Sequence, residues 1–406
     1  MRILKKTQSM FGVLALSFNF MIPASLPALD FNADAFDEIR EMGKRKIIVF
    51  KENTTAEERE KISALILAKR IKKLEGIVNA DVALNLNPKE LAALALNPKV
   101  ARIEDDAIAT ISAVKSKAAI KASQIIPWGI DRIDAEKVWP AGNSANPVKV
   151  GIVDTGISSS HPDLKTNIKG GINTIRPWKS WNDDNGHGSH VAGIVAALNN
   201  TVGVVGAAPQ ADLYSIKVLS ANGSGWFSDI IEGIDWAVAN KMQVINMSLG
   251  SSSDVQSFHD AIKRAKNAGI VIVAAAGNDY GGKVNYPAAY PEVIAVSATD
   301  QANAFADYSS KGPEVDLSAP GSSIYSTYKG SGYATLSGTS MASPHVAGAA
   351  LLVLNTAPSS YDIDGDGKWD PDEVKQKLQD TATDLGSSGY DSSFGSGLVN
   401  AYAATQ

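Results

Sequence analysis

The stretch VKVGIVDTGI, residues Val148–Ile157, runs apolar from Val150 to Val153, stops at an acid, Asp154, and is followed by Thr155 and Gly156. Neighbouring residues of a strand point to opposite faces, so a run apolar at every position belongs to a sheet covered on both sides. The same texture returns in DLYSIKVL, QVINMSL, GIVIVAAAGN and VIAVSA. Between these runs lie helix-like segments, among them HVAGIVAALN, FSDIIEGIDWAVAN and DAIKRAKNAG. The alternation predicts an α/β fold, a parallel sheet flanked by helices on both faces. Reactive groups in such sheets gather at the carboxyl ends of the strands. Asp154 stands at one of those ends, where an acid has no packing rationale and must find a polar partner.

A nucleophile is offered by GTSMASPHVAG, Gly338–Gly348, in which Ser340 precedes an apolar run at a helix start. Its hydroxyl needs a base to take the proton. His345 is five residues on, about 500° around a helix, and so points away as a packed or surface histidine. Of the other four, His259 lies in a polar helical stretch and reads as solvated, and His161 sits in a turn, SSSHPDL. In NGHGSHVAG, His187 is wedged between glycines at a helix entrance, with a tight backbone and an open approach to the ring. His190 begins the apolar face and reads as a buried structural histidine.

The chain has 406 residues, 44% hydrophobic and 20% charged, a globular composition with a net charge of −5, which offers no basic footprint for nucleic acid. There are no cysteines, hence no disulfide, thiol nucleophile or zinc–thiolate site. At the N-terminus Arg2, Lys5 and Lys6 precede an apolar stretch, Met10–Ile22, and then small residues and prolines. That is the outline of a secretory signal peptide over residues 1–28, cleaved after Ala24 or Ala28, too short to span a membrane.

Residues 44–111 form a small module: strand-like RKIIVF, a charged helix TAEEREKISALILAKRIKKL opened by Thr54 or Thr55, strand-like GIVNADVALNLN, a short helix PKELAALALN and strand-like VARIEDDAIATI. The expected order is β-α-β-α-β. Residues 112–123, rich in Ala, Ser and Lys, read as an exposed linker of the kind that is cut by proteases.

Together VDTGI, NGHGSHVAG and GTSMASPHVAG, in the order Asp, His, Ser, resemble the motifs of the subtilisin family of serine endopeptidases, from about Ile126 to the C-terminus. The resemblance implies a catalytic domain over 124–406 in which Asp154 orients His187, His187 deprotonates Ser340, and an acyl-enzyme forms and is hydrolysed. VAAAGND is similar to the segment that supplies the oxyanion donor, here Asn278. NGSGW and SLGS resemble the two segments that grip an extended substrate, giving Gly223, Ser224, Gly225, Ser248, Leu249 and Gly250, bare enough for another backbone to come close. Asn285 falls at the bottom of the first specificity pocket, where the family often has a smaller residue. The implied activity is broad cleavage after medium or large side chains. The module before it resembles the family's inhibitory propeptide, a small α+β ferredoxin-like domain, with the processing site in the linker. Glu104, Asp105 and Asp106 are placed to cap helix N-termini of the partner domain.

Two stretches suggest calcium in place of disulfides. LNNTVGVVG resembles the family's tight calcium loop, implying as ligands the carbonyls of Leu198, Val202 and Val204 and the side chains of Asn200, Asp163 and Gln124. Independently, DIDGDGKWDPDE, Asp362–Glu373, has the EF-hand spacing, with Asp362, Asp364, Asp366, the Lys368 carbonyl, Asp370 and Glu373 as ligands and Gly367 at the sharp turn. The expectation is a secreted, monomeric endopeptidase with structural calcium and no organic cofactor. Its partners are protein substrates and its own propeptide, with no membrane once the signal is removed. The alternatives are a non-catalytic scaffold and acyl transfer to a nucleophile other than water.

Overall fold

The computed structural model describes residues 43–76, 78–111, 113–119 and 123–406. The signal peptide expected at 1–28 lies outside them.

The N-terminal module runs β1 (Arg45–Phe50), α1 (Ala56–Ser63), β2 (Arg70–Leu74), β3 (Ala80–Leu84), α2 (Pro88–Ala95) and β4 (Val100–Asp105). Its antiparallel sheet has the order β2-β3-β1-β4, the ferredoxin-like arrangement. The expected β-α-β-α-β order thus lacks one strand. The long charged helix stops at Ser63, and RIKKL, read as its last turn, is β2. β2 is an edge strand, where lysines are favoured because they discourage pairing with other chains. Thr55 and Glu58 close a capping box at the start of α1, and Asn87 and Glu90 do so for α2, with Pro88 in the first turn. In β1, Ile48 and Phe50 pack on Ile62, Ile66 and Leu94 of the module itself. Ile47 and Val49 point the other way, into a core shared with the next domain.

That domain is built on seven parallel strands in the order β14-β13-β12-β11-β7-β9-β8. They are β7 (Lys149–Asp154), β8 (Ile168–Asn173), β9 (Asp212–Lys217), β11 (Val244–Met247), β12 (Val271–Ala275), β13 (Ile294–Thr299) and β14 (Leu317–Pro320). Alternate residues serve opposite faces. Val150, Ile152, Val244, Val271 and Val273 meet α3 (His187–Ala196) and α6 (Thr339–Leu354), whereas Val153, Ile245, Met247 and Ile272 meet α4 (Phe227–Ala239) and α5 (Gln256–Asn267). A parallel sheet covered on both faces is the arrangement expected from the apolar runs. Among the described residues no helix is long and apolar enough to cross a membrane.

The two domains meet along α4 and α5. Neither helix has a side chain of its own that caps its start, since Trp226 and Val255 stand at the N-cap positions. The first N–H groups of a helix must then find acceptors elsewhere. Asp106 accepts from the Ser228 N–H (3.0 Å) and hydroxyl (2.7 Å), and Glu104 accepts from the Ser257 N–H (3.1 Å) and hydroxyl. Two of the three acids expected to cap helices do so; Asp105 pairs instead with Lys46 at the surface. Arg45 Nε donates to Asp106 at 2.8 Å, compensating a carboxyl whose pKa burial pushes up.

The chain then crosses the second domain as β5 (Ile108–Thr110), antiparallel to β10 (Ser224–Trp226). Val114–Ala119 forms β6, paired with β16 (Tyr333–Ser337) of the hairpin that β16 makes with β15 (Ile324–Thr327). Half of the expected linker is therefore strand, because the edge of that hairpin offers unpaired backbone groups. In the uncut chain, replacing Asp106 by Ala should strand the Ser228 N–H and leave the buried Arg45 guanidinium with Asp229, 3.9 Å away, as its one remaining carboxylate among the described residues. Docking of the module should weaken by about 3 kcal/mol, read from the urea dependence of hydrogen exchange in β1; an unchanged profile would show that the cap contributes nothing.

Candidate active site

Asp154 ends β7 with no exposure to solvent, and its carboxylate accepts from the Thr155 N–H at 2.6 Å. His187 opens α3, and its Nδ1 lies 2.8 and 2.9 Å from the two oxygens of Asp154. A carboxylate can only accept, so the proton sits on Nδ1 and leaves Nε2 as the basic nitrogen. The glycines beside His187 serve close approach rather than an open ring. A Cβ at Gly188 would lie 2.2 Å from the Gly156 carbonyl, and one at Gly186, where φ is +116°, would enter the ring of Tyr328. Asp183 accepts from the N–H groups of Asn185, Gly186 and Ser189 and so fixes the entrance to α3. Lys217, at the end of β9 and buried, donates from Nζ to Thr155 O (2.5 Å), Asp184 (2.7 Å) and Leu219 O (2.9 Å). It ties the end of Asp154's strand to the loop before His187. Its one visible signal is a Lys inside the apolar run DLYSIKVL.

Ser340 is the second residue of α6, where the N-terminal end of the helix favours developing negative charge. α3 and α6 pack side by side and both start at the carboxyl edge of the sheet. The Asp154–His187 contact is formed; the His187–Ser340 contact is not. Ser340 Oγ donates to the Ser248 carbonyl at 3.1 Å, and His187 Nε2 is buried without a hydrogen-bond partner among the described residues. Asn278, just after β12, accepts through Oδ1 from the Thr339 N–H (3.0 Å) and hydroxyl (2.9 Å). A backbone N–H can only donate, which fixes the amide orientation and makes the NH₂ group the outward end. That end is the one an oxyanion requires.

The groove between the two glycine segments is filled by the chain itself. Ile111 N–H donates to Gly223 O at 2.9 Å, and Thr110 and Gly250 exchange both main-chain bonds at 3.0 Å. Ala109 stands opposite Gly225, and Thr110 opposite Ser224. Gly223 lies against the Ile111 side chain, where a Cβ would come within 2.6 Å. Gly225 is bare for another reason: its Cβ would strike the Val218 carbonyl, not an incoming strand. Leu249 is buried in the core beneath the segment. Asn285 packs beside Gly250 and Gly277 and donates to Asp279 at 2.7 Å, flanking Asn278's loop.

The subtilase family matches residues 145–397. The chain is 47% identical over 321 residues to a thermostable alkaline protease of Halalkalibacterium halodurans, covering 79% of this chain and 82% of that protein. It is 48% identical over 284 residues to Subtilisin Savinase of Lederbergia lenta, covering 70% of this chain and all of that protein. To subtilisin amylosacchariticus of Bacillus subtilis subsp. amylosacchariticus it is 42% identical over 370 residues, 89% of this chain and 91% of that protein. The chain belongs to the subtilase family. It is a serine endopeptidase of that family.

Two oxygen-rich loops stand apart from this subtilase's groove. In the first, the carbonyls of Leu198 and Val204 lie 2.7 and 3.2 Å from the Gln124 amide nitrogen. Asp163, fully buried, accepts from Asn200 Nδ2 (2.8 Å), the Val204 N–H (3.0 Å) and the Tyr333 hydroxyl (2.8 Å). Asn200 Oδ1 accepts from the Val202 N–H at 2.7 Å. In the second, the structure gathers Asp362, Asp364 and Glu373, whose oxygens lie within 4.8 Å of one another. Asp362 Oδ1 is buried without a hydrogen-bond partner among the described residues. The other two expected acids, Asp366 and Asp370, are not in that cluster. Asp366 accepts from the Lys368 N–H (2.7 Å), and Asp370 caps α7 (Pro371–Asp380), its N–H bonded to Glu373 at 3.0 Å. The EF-hand's incoming helix is reduced to a turn, Ser359–Tyr361.

The remaining histidines are structural. His190 Nε2 bonds to Ile324 O and Ala334 O, and burial lowers its pKa to about 3. His161 sits in its turn, buried between Gly332 O and the Asp163 N–H. His259, expected to be solvated, bonds to Glu292 at 2.9 Å and stacks on Tyr290, because the aromatic face gives the helix a half-buried side there. His345 is buried, with Nδ1 donating to Met341 O at 2.8 Å, and burial lowers its pKa to about 4. It is therefore not the base. Because its folded pKa lies below the ordinary 6.5, the unfolded chain binds the extra proton, and stability is lost as pH falls from 6.5 towards 4. His345→Asn keeps the δ donor and cannot titrate. It should remove on the order of 3 kcal/mol of that acid sensitivity, measured as the difference in unfolding free energy between pH 7 and pH 4.

Proposed function

We propose that this subtilase is a secreted, calcium-stabilised endopeptidase of broad specificity, made as a precursor that its own N-terminal module inhibits and its own active site cuts. The observation that carries the reading is the strand 108–111, which lies in the groove beside Ser340 with main-chain bonds to both glycine segments. The bonds that Ala107–Ile111 makes with Phe227, Gly223 and Gly250 are from backbone to backbone, and recognition of this kind would tolerate many side chains.

With Nδ1–H held by Asp154, His187 Nε2 takes the proton of Ser340 Oγ once that hydroxyl turns from the Ser248 carbonyl. Oγ attacks the peptide carbonyl, and the oxyanion is held by the Asn278 amide and the Ser340 N–H. His187 returns the proton to the leaving amine, and water repeats the cycle on the acyl-enzyme.

The register points to the first bond cut. Thr110 stands opposite Gly250 in an antiparallel pairing, and Gly250 is two residues from Ser248. Ser248 O is the group that holds Ser340 Oγ. Beyond it Val114 pairs with Ser337, so the chain is gripped on the far side as well. We assign self-cleavage to the bond between residues 112 and 113. Ser340→Ala should accumulate uncut chain, and the first intermediate of the unaltered enzyme should begin at Ala113 by N-terminal sequencing. A Ser340→Ala chain cut at the same bond would remove self-processing.

Both oxygen-rich loops fit calcium. Among the described residues no Lys or Arg pairs with the buried Asp163, which takes donors from Asn200, Val204 and Tyr333. With the Asn200 and Gln124 amides turned over, their oxygens would join the Asp163 carboxylate and the Leu198 and Val204 carbonyls in a donor set of the kind that calcium takes. Gln124, Asp163, Leu198, Asn200, Val202 and Val204 would hold one ion, and Asp362, Asp364 and Glu373 the other, with Asp366, Lys368 and Asp370 closing around it. The ion would supply positive charge to buried oxygens and cross-link the loops, with no part in the reaction. Chelator should lower the melting temperature, and Asp364→Ala should reproduce part of the drop; no change in either case excludes structural calcium.

A further inference from the structure

The helix that carries Ser340 contains an interruption close to its start. Pro344 lies inside α6, four residues after Ser340. Proline has no N–H to donate, and its ring crowds the carbonyl four residues before it. The carbonyl of Ser340 is therefore deprived of its helical partner in a place without solvent.

Ser248 fills that role. Its hydroxyl donates to Ser340 O at 2.8 Å. The same hydroxyl accepts from Asn246 Nδ2 at 2.9 Å, and Asn246 Oδ1 accepts from the Ser343 hydroxyl at 2.7 Å. Asn246, Ser248, Ser340 and Ser343 all have 0% exposure. A neutral amide donates to one hydroxyl and accepts from the other at once without burying a charge, which neither a carboxylate nor an ammonium can do. By donating to Ser248, Asn246 turns that hydroxyl's own proton towards the Ser340 carbonyl.

We infer that Asn246 and Ser248 are positioning residues of the reaction. They lock the first turn of α6 to the end of β11 and so set where the hydroxyl and N–H of Ser340 lie relative to the scissile carbonyl. The role is distinct from the grip of the 248–250 backbone on substrate. It rests on Ser340 being the nucleophile.

The test uses the matured full-length enzyme, with active sites counted by a fluorophosphonate and turnover measured on a peptide amide. Ser248→Ala and Asn246→Ala should each lower kcat per labelled site about 10- to 100-fold with little change in KM, as expected when a reacting group is displaced by a fraction of an ångström to an ångström. The double variant should fall no further than the worse single one, because both break the same chain of bonds. Ser248→Thr, which keeps the hydroxyl, should retain most of the activity. Unaltered kcat per labelled site, or losses that multiply as for independent positions, would overturn the inference. If Ser248→Ala does not fold, Asn246→Ala, which leaves the Ser248 hydroxyl in place, decides by the same comparison. A wild-type enzyme whose Ser340 takes no label is a separate result and defeats the assignment of the nucleophile instead.

Discussion

Parallel strands of this sheet end side by side, and the residues that follow them have no further strand with which to pair. Asp154 closes β7, Lys217 closes β9, Ser248 follows β11 and Asn278 stands three residues after β12. Helices cover both faces, so Asp154, Lys217 and Ser248 are buried and Asn278 is half-buried, and these polar groups must satisfy one another. Asp154 meets His187, Lys217 meets three oxygens, Asn278 meets Thr339, and Ser248 meets Ser340. The reactive constellation is the way in which this buried edge resolves its own hydrogen bonding.

The N-terminal module answers a similar need on the neighbouring surface. α4 and α5 begin without side-chain caps, and Asp106 and Glu104 provide what Trp226 and Val255 cannot. The acid cap and the groove-filling strand are contiguous: Asp106 binds the start of α4, Ala107 O accepts from the Phe227 N–H, and β5 follows at once. Docking and occupation of the groove are thereby one mechanical event.

Much of this was legible along the chain. Continuous apolar runs required a sheet with two covered faces, and Asp154, His187 and Ser340 stood out as polar groups at strand ends and helix starts. The misreadings share a cause. RIKKL looked helical because its charge reflects an edge position and not a period. The segment Val114–Ala119 looked like a linker because its strand partner, β16, lies more than two hundred residues away. Lys217 and Asn246, each a polar residue inside an apolar run, were the available signs of buried networks, and both were passed over.

By itself the sequence determined the alternation of buried strands and helices, the residue types capable of chemistry, and the acids and carbonyl-rich loops that suit a hard cation. These depend on local periodicity and spacing, which a linear chain displays. Only the tertiary structure decided which nitrogen of His187 faces Asp154, that Ser340 rests on Ser248 in this state, that His345 is sealed in the core, and that the groove holds the chain's own strand. Each of these depends on distances between residues remote in the chain, and those are set by how the layers pack.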